Sequence, residues 1–203
     1  MAGTFIAFEG GDASGKSTQA RLLAEHLGAR STREPGSTEL GERVRQILLH
    51  ADDVHLDPRA EALLFAAARA EHIAEVIGPA LERGETVVAD RYIASSLAYQ
   101  GYGRGLPVDE IQHINEWATG GLWPDLIVLL DVPLETAALR LADDLDKLEA
   151  AGDEFHQRVD EGYRKLAAAD PDRWLVIDGT GAIDEVATRV REAVDRWLTH
   201  RVG

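Results

Sequence analysis

Short apolar runs rich in β-branched residues alternate along the chain with longer segments whose apolar positions recur at helical spacing. The runs at 4–8, 86–89, 126–132 and 174–177 predict strands, with a weaker one near 29–32. They lack polar alternation, as strands covered on both faces must, so they point to a parallel sheet between helical layers. After the first run, Ala20, Leu23, Ala24 and Leu27 fall at i, i+3, i+4, i+7 of a helix, and Gly28 is a natural stop. Leu40, Val44, Ile47 and Leu48 form a second stripe. Pro58 opens a long helix carrying Leu63, Leu64, Ala67, Ile73 and Ile77, which Gly78-Pro79 is expected to kink or break. A last helix runs over about 183–198. No repeat or low-complexity linker intervenes, so the expectation is one α/β domain over 1–203, a five-stranded parallel sheet flanked by helices on both faces. The stretch 142–153, polar and acidic, reads as a mobile flap rather than core.

Composition narrows the partners. With 203 residues, 45% of them hydrophobic, one substantial core is affordable. Thirty-six acidic against 21 basic residues give a formal charge of −15. That field repels nucleic acid and anionic membranes, so neither is an expected partner, and an anionic ligand demands cations gathered in one cleft. Cysteine is absent, which excludes disulfides and thiolate chemistry. The opening residues are neither a signal peptide nor a span, and no later apolar run nears the ~18 residues of a membrane helix, so a cytoplasmic location is expected.

Gly10-Gly11-Asp12-Ala13-Ser14-Gly15-Lys16-Ser17 matches G-x-x-x-x-G-K-[ST] between the first strand and the helix that contains Thr18 and Ala20. Its glycines let backbone N–H groups turn inward around phosphate oxygens, where the helix dipole adds to the attraction. Lys16 would reach the β- and γ-phosphates of a nucleotide, and the Ser17 hydroxyl would ligate Mg²⁺. The fold expected is thus that of a P-loop kinase. GTPases and ATPases share the motif, but the Asn-Lys-x-Asp guanine box is missing. In its place stand arginines on otherwise apolar segments: Arg33 after the weak strand, Arg69 on the long helix, and Arg91 directly after Asp90. Ligands of open parallel sheets bind beyond the strands' carboxyl ends, so Arg33, Arg91 and the phosphate loop should share one crevice.

Four segments in order resemble the thymidylate kinase family: Phe8-Glu9-Gly10-Gly11-Asp12 through Thr18-Gln19; Thr32-Arg33-Glu34-Pro35-Gly36-Ser37-Thr38; Leu63 to His72; and Asp90-Arg91-Tyr92 through Gln100-Gly101. The resemblance implies an enzyme that moves the ATP γ-phosphate onto dTMP with Mg²⁺, and a homodimer. It implies an ATP site at Gly10, Gly11, Asp12, Ala13, Ser14, Gly15, Lys16, Ser17 and Thr18. It implies a dTMP site at Arg33, Pro35, Phe65, Arg69, Arg91, Ser95, Ser96, Tyr99 and Gln100. In that reading Phe65 stacks on thymine, Arg69 bonds a thymine carbonyl, Arg91 holds the phosphate, Ser96 and Gln100 read the base edge, and Tyr99 packs against the sugar. Asp12 would touch the 3′-hydroxyl or a Mg²⁺-bound water, and Glu9 and Asp131, at strand ends, could serve Mg²⁺ through water. The family keeps a phosphate-stabilising arginine in the phosphate loop or in the flap. Here the loop position is Ala13, and Asp146-Lys147-Leu148-Glu149 carries lysine for arginine in an acidic stretch, with Arg140 just before it. Lys147 and Arg140 are therefore the candidate flap cations, although lysine cannot fork across two oxygens. The alternatives are another nucleotide or deoxynucleoside kinase of this fold, with Glu9 as base, or a slow P-loop nucleotide-binding switch.

Overall fold

The computed structural model describes residues 3–51, 53–140 and 146–201. The apolar run at the start is β1 (Phe5–Glu9), buried throughout, and the phosphate loop leads from it into α1 (Lys16–Leu27), which Gly28 caps in the left-handed region. The chain continues through β2 (Arg30–Arg33) and α2 (Glu39–Arg45), which passes into a π-helical turn, Gln46–His50. Then follow α3 (Pro58–His72), a second π-helical turn (Ile73–Ile77) and α4 (Gly78–Glu82). The predicted break at Gly78-Pro79 does not occur. The Gly78 N–H reaches back to Ile73 O, and this one-residue widening gives room to a proline whose ring would clash in a regular helix.

Next come β3 (Val87–Asp90), the short α5 (Ile93–Ser96) with its π-helical continuation Leu97–Gly103, α6 (Val108–Thr119), β4 (Leu126–Asp131) and α7 (Leu134–Ala138). A 3₁₀ turn at Glu149–Ala151, α8 (Asp153–Ala169), β5 (Trp174–Asp178) and α9 (Ile183–Arg201) complete the order. The five strands form one sheet in the order β2-β3-β1-β4-β5, every pairing parallel, as expected. Because successive strand residues face opposite sides, Ile6 and Phe8 pack with Leu23 of α1 and Val190 of α9, while Phe5 and Ala7 pack with Ile77, Ala80 and Tyr92 across the sheet. Among the described residues no helix is long and apolar enough to cross a membrane.

A further sequence expectation changes in this frame. In the second stripe Val44 and Leu48 are buried, but Leu40 and Ile47 are exposed, the latter within the π-helical turn, where residues after Arg45 leave α-helical register. Of the expected flap, 142–145 lies outside the described residues. In the remainder, Leu148 is buried in the cluster that holds Leu49 and Phe155. Helix α8 then runs very close to the π-helical turn Leu97–Gly103. A Cβ on Gly103 would lie 2.6 Å from Phe155 Cε2, and one on Gly162 would lie 2.6 Å from Tyr102 Cδ2.

Candidate active site

The central strand β1 ends at the phosphate loop, where Gly15 (φ 91°) and even Ala13 (φ 55°) take left-handed conformations to turn the backbone inward. Lys16, buried, folds its amine onto Gly11 O (2.6 Å) and Ser14 Oγ (3.4 Å). Burial, and then the neighbouring Arg91, lower its pKa to about 8. Ser17 Oγ donates to Asp90 Oδ2 at 2.5 Å, and Asp90 Oδ1 is buried without a partner. The sequence reading left Asp90 out of the metal site and named Glu9 and Asp131. Both oxygens of Glu9 are committed, to Tyr92 N (2.9 Å), Ser95 Oγ (2.6 Å) and Tyr163 OH (3.0 Å), and Asp131 pairs with Arg164 of α8 at 3.1 Å. Register explains the difference, because β3 and β4 both flank β1, but Asp90 lies opposite Phe8 whereas Asp131 lies two residues beyond the partner of Glu9.

Arg91, at φ 70°, turns off the end of β3 into the most densely bonded part of the crevice. Its NH1 donates to Gly10 O (3.2 Å), Ser95 Oγ (3.1 Å) and Tyr163 OH (3.2 Å). Its NH2 donates to Asp12 Oδ1 (2.5 Å) and Tyr99 OH (3.0 Å), and Tyr99 OH donates in turn to Asp12 Oδ2 (2.8 Å). The guanidinium also lies over the Tyr99 ring, 4.8 Å from its centroid. Burial works to raise the Asp12 pKa, but Arg91 and Lys16 outweigh it and hold this carboxylate below its ordinary range. Glu9 has no such surplus of cations, and burial raises its pKa.

Beyond Arg91 opens a cavity of about 260 Å³ whose walls include Lys16, Arg33, Pro35, Phe65, Arg69 and Gln100. Arg69 is only 1% exposed. Its Nε donates to Glu34 Oε2 (2.6 Å), its NH1 to Ser96 Oγ (3.0 Å) and Asn115 Oδ1, and its NH2 to Tyr92 O (3.0 Å). Glu34 is held from behind by His72 Nδ1 at 2.9 Å, whose Nε2 stands 2.5 Å from Thr32 Oγ1. Arg33 bonds Glu42 (3.0 Å) at the rim. Arg45, which sequence reasoning missed, faces the same cavity from α2 and donates to Pro35 O (3.1 Å). Burial and then the nearby Arg33 lower its pKa.

A second cavity of about 470 Å³ lies on the far side of the phosphate loop, between Thr18, Arg140, Gly179 and Ile183. Arg140 donates there to Gly179 O at 3.2 Å. Lys147 is not brought to either cavity. Its amine bonds the carbonyls of Ala51 and Val54 (2.7 Å for the latter), so the two candidate flap cations lie in different places. Sequence reasoning also missed Tyr163 and His156, both on α8. The latter places Nδ1 3.9 Å from Asp12 Oδ2. Neither residue stands in a local motif, and only the crossing of α8 over the crevice brings them in.

A sequence profile described as Thymidylate kinase matches residues 8–190. A thymidylate kinase of Cupriavidus metallidurans is 50% identical over 200 residues, covering 96% of this chain and 98% of its own. One from Bifidobacterium longum subsp. infantis is 46% identical over 211 residues, with 100% and 91% covered. The crystal structure of thymidylate kinase from Ehrlichia chaffeensis superimposes with a TM-score of 0.78 at 35% identity, covering 96% of this chain and 99% of that one. Matches of this length and identity, over a crevice built from the same segments that first suggested it, mean that the chain belongs to the thymidylate kinase family.

Proposed function

We propose that the protein phosphorylates dTMP, with ATP as the phosphate donor and dTDP and ADP as products, acting in the cytoplasm as one catalytic domain over 1–203. The observation that carries the reading is the single cavity joining Lys16 and Arg91 at one end to Phe65 and Arg69 at the other. It has the length and charge for an acceptor with a phosphate and a flat base. The phosphate of dTMP, ionised near neutral pH, lies against Arg91 and Arg45. One of its oxygens bonds the γ-phosphorus as the bond to the β–γ bridging oxygen breaks, and ADP leaves with that electron pair. Lys16 neutralises charge building on the transferring group, and positioning supplies most of the rest.

No proton has to be removed, and Glu9, with both oxygens bonded, is poorly placed to remove one, which favours a monophosphate acceptor over a nucleoside hydroxyl. Ser17 and Asp90 suit Mg²⁺. Asp90 keeps a buried unpartnered oxygen beside the serine hydroxyl, and a P-loop site needs few protein ligands because phosphates and water complete the shell. The ion would neutralise β- and γ-phosphate charge. Thr18 and Arg140 border the donor nucleotide. Phe65 stacks on the base, and Tyr99, pinned by Asp12 and Arg91, fills the space where a ribose 2′-hydroxyl would sit.

The test is a coupled assay for ADP release with dTMP, dUMP, dCMP or no acceptor. We expect dTMP first, dUMP reduced by ~10–200-fold for its missing methyl, dCMP lower still, and negligible release without acceptor. Equal rates for the three pyrimidines would refute the base assignment.

We also propose a homodimer through α3 and α6. Trp117 is 87% and Leu63 55% exposed, and together with Ala67, Ala70 and Ile114 they form an apolar face that a second copy would cover. Trp117→Glu should convert the dimer to monomer in light scattering. A wild type that is monomeric at micromolar concentration overturns this reading.

A further inference from the structure

We propose that the Glu61 carboxylate fixes the orientation of the Gln100 amide and thereby sets discrimination against cytosine, which makes Glu61 a positioning residue for base choice. The inference rests on the base pocket described above.

Glu61, Phe65 and Arg69 stand at i, i+4 and i+8 on one stripe of α3. All three side chains are buried. Gln100 lines the substrate cavity, and its partner Glu61 lines, with Arg104, a second cavity of about 330 Å³. Glu61 Oε1 accepts from Gln100 Nε2 (2.9 Å) and from Arg104 Nε (3.2 Å), and its Oε2 accepts from Arg104 NH2 (2.9 Å). Arg104 is itself seated over the Phe155 ring, 4.7 Å from its centroid. A carboxylate can only accept, so the amide nitrogen of Gln100 must face Glu61, and turning the amide over would set oxygen against oxygen. Its carbonyl oxygen is then the polar atom left for the cavity.

Arg69 presents the opposite polarity. A guanidinium has five N–H donors, and Glu34, Ser96, Asn115 and the Tyr92 carbonyl take four of them. One NH2 proton remains for the cavity. The pocket therefore offers an acceptor from Gln100 and a donor from Arg69, the complement of an N3–H beside an O4 carbonyl. Thymine and uracil present that pair. Cytosine presents the reverse, a bare N3 and an amino group, so acceptor meets acceptor and donor meets donor in a buried site.

Glu61→Gln tests the lock, because an uncharged amide at 61 can present either its oxygen or its nitrogen to Gln100 and frees it to turn. The ratio of kcat/KM for dCMP to that for dTMP should rise at least ~10-fold. KM for dTMP should rise severalfold with kcat within about twofold, and the dUMP to dTMP ratio should not move, since both bases keep N3–H and O4. Glu61→Asp, which keeps a charge for Arg104 but withdraws the carboxylate by one methylene, should shift the dCMP ratio the same way by ~3-fold, and it serves if the first variant is unstable. Arg104→Met removes the ion pair but leaves the carboxylate to face Gln100, so it should lower stability and leave the ratio unchanged. An unchanged dCMP ratio in both Glu61 variants overturns the proposal, as does an equal shift in Arg104→Met. Phe65→Ala separates the two levels. If it leaves KM for dTMP unaltered the pocket reading itself fails, whereas a raised KM beside an unmoved dCMP ratio in the Glu61 variants removes only the lock.

Discussion

The two cations on the sheet side of the crevice, Lys16 and Arg91, and the two from the chain beyond β4, Arg140 and Lys147, are held in different ways. Arg91 is gripped by side chains from four separate segments: Asp12 in the phosphate loop, Ser95 in α5, Tyr99 in the π-helical continuation and Tyr163 in α8. Among the described residues, Arg140 and Lys147 bond only backbone carbonyls, of Gly179 and of Ala51 and Val54. A buried guanidinium held by this many partners needs little rearrangement when charge develops beside it, and such preorganised groups contribute most to phosphoryl transfer. Lys16 also rests on a carbonyl, that of Gly11, but inside the phosphate loop, whereas a cation resting on carbonyls outside the loop must first leave them. On the proposed function, the firmly held charge lies at the acceptor end, and no preformed flap cation stands in for the arginine that Ala13 lacks.

The largest effects should follow from breaking the fixed side. Arg91→Ala and Lys16→Ala should each lower kcat/KM at least ~100-fold with an unchanged circular dichroism spectrum. Near wild-type activity in either would dissolve the contrast.

Acidity sharpens it next. Lys16 acts as a cation, and its pKa is lowered to about 8, so the free enzyme loses the active form as pH rises through that value. We expect kcat/KM for ATP to fall ~10-fold per unit above about pH 8, while kcat, measured with phosphates bound against the amine, holds to higher pH. A kcat/KM profile flat to pH 10 would show that Lys16 keeps an ordinary pKa.

On the loosely held side, Arg140→Ala should lower kcat about 10-fold, below the ~10²–10³ of an enclosed donor. Lys147→Ala should change kcat by less than ~3-fold and mainly lower stability by ~1 kcal/mol, read in urea unfolding. A loss of ~100-fold in kcat for Lys147→Ala would mean that this lysine swings onto the phosphates during turnover, and the division into fixed and loose cations would fall.

What could be read from the sequence follows the same division. The strands, the phosphate loop and the sharing of one crevice by Arg33 and Arg91 were legible because each depends on local spacing plus one rule about strand ends. Asp90 beside Ser17 was not, since that contact depends on β3 being the neighbour of β1, and strand order is not encoded in any one segment. Arg69 was legible as a base-reading residue by resemblance, but its support by Glu34 and Asn115 joins residues 35 and 46 positions apart. Arg45 sits on a stripe that stops being helical just after it, which hid the side on which its charge lies. Nor was the seating of the second half of the flap legible, for Leu148 and Ala151 pack against a core cluster whose members come from distant segments.

The close passage of α8 over the turn Leu97–Gly103 has a mechanical meaning. Gly103 meets Phe155 and Gly162 meets Tyr102, so each helix notches the other, and α8 can neither slide nor roll without driving a side chain into backbone. Tyr163, the next residue after one notch, delivers its hydroxyl to Arg91, while Tyr99, four residues before the other, delivers a second. The pair works as a keyed shaft, in which a methyl group added at either notch, far from any phosphate, would turn both hydroxyls away from the guanidinium together.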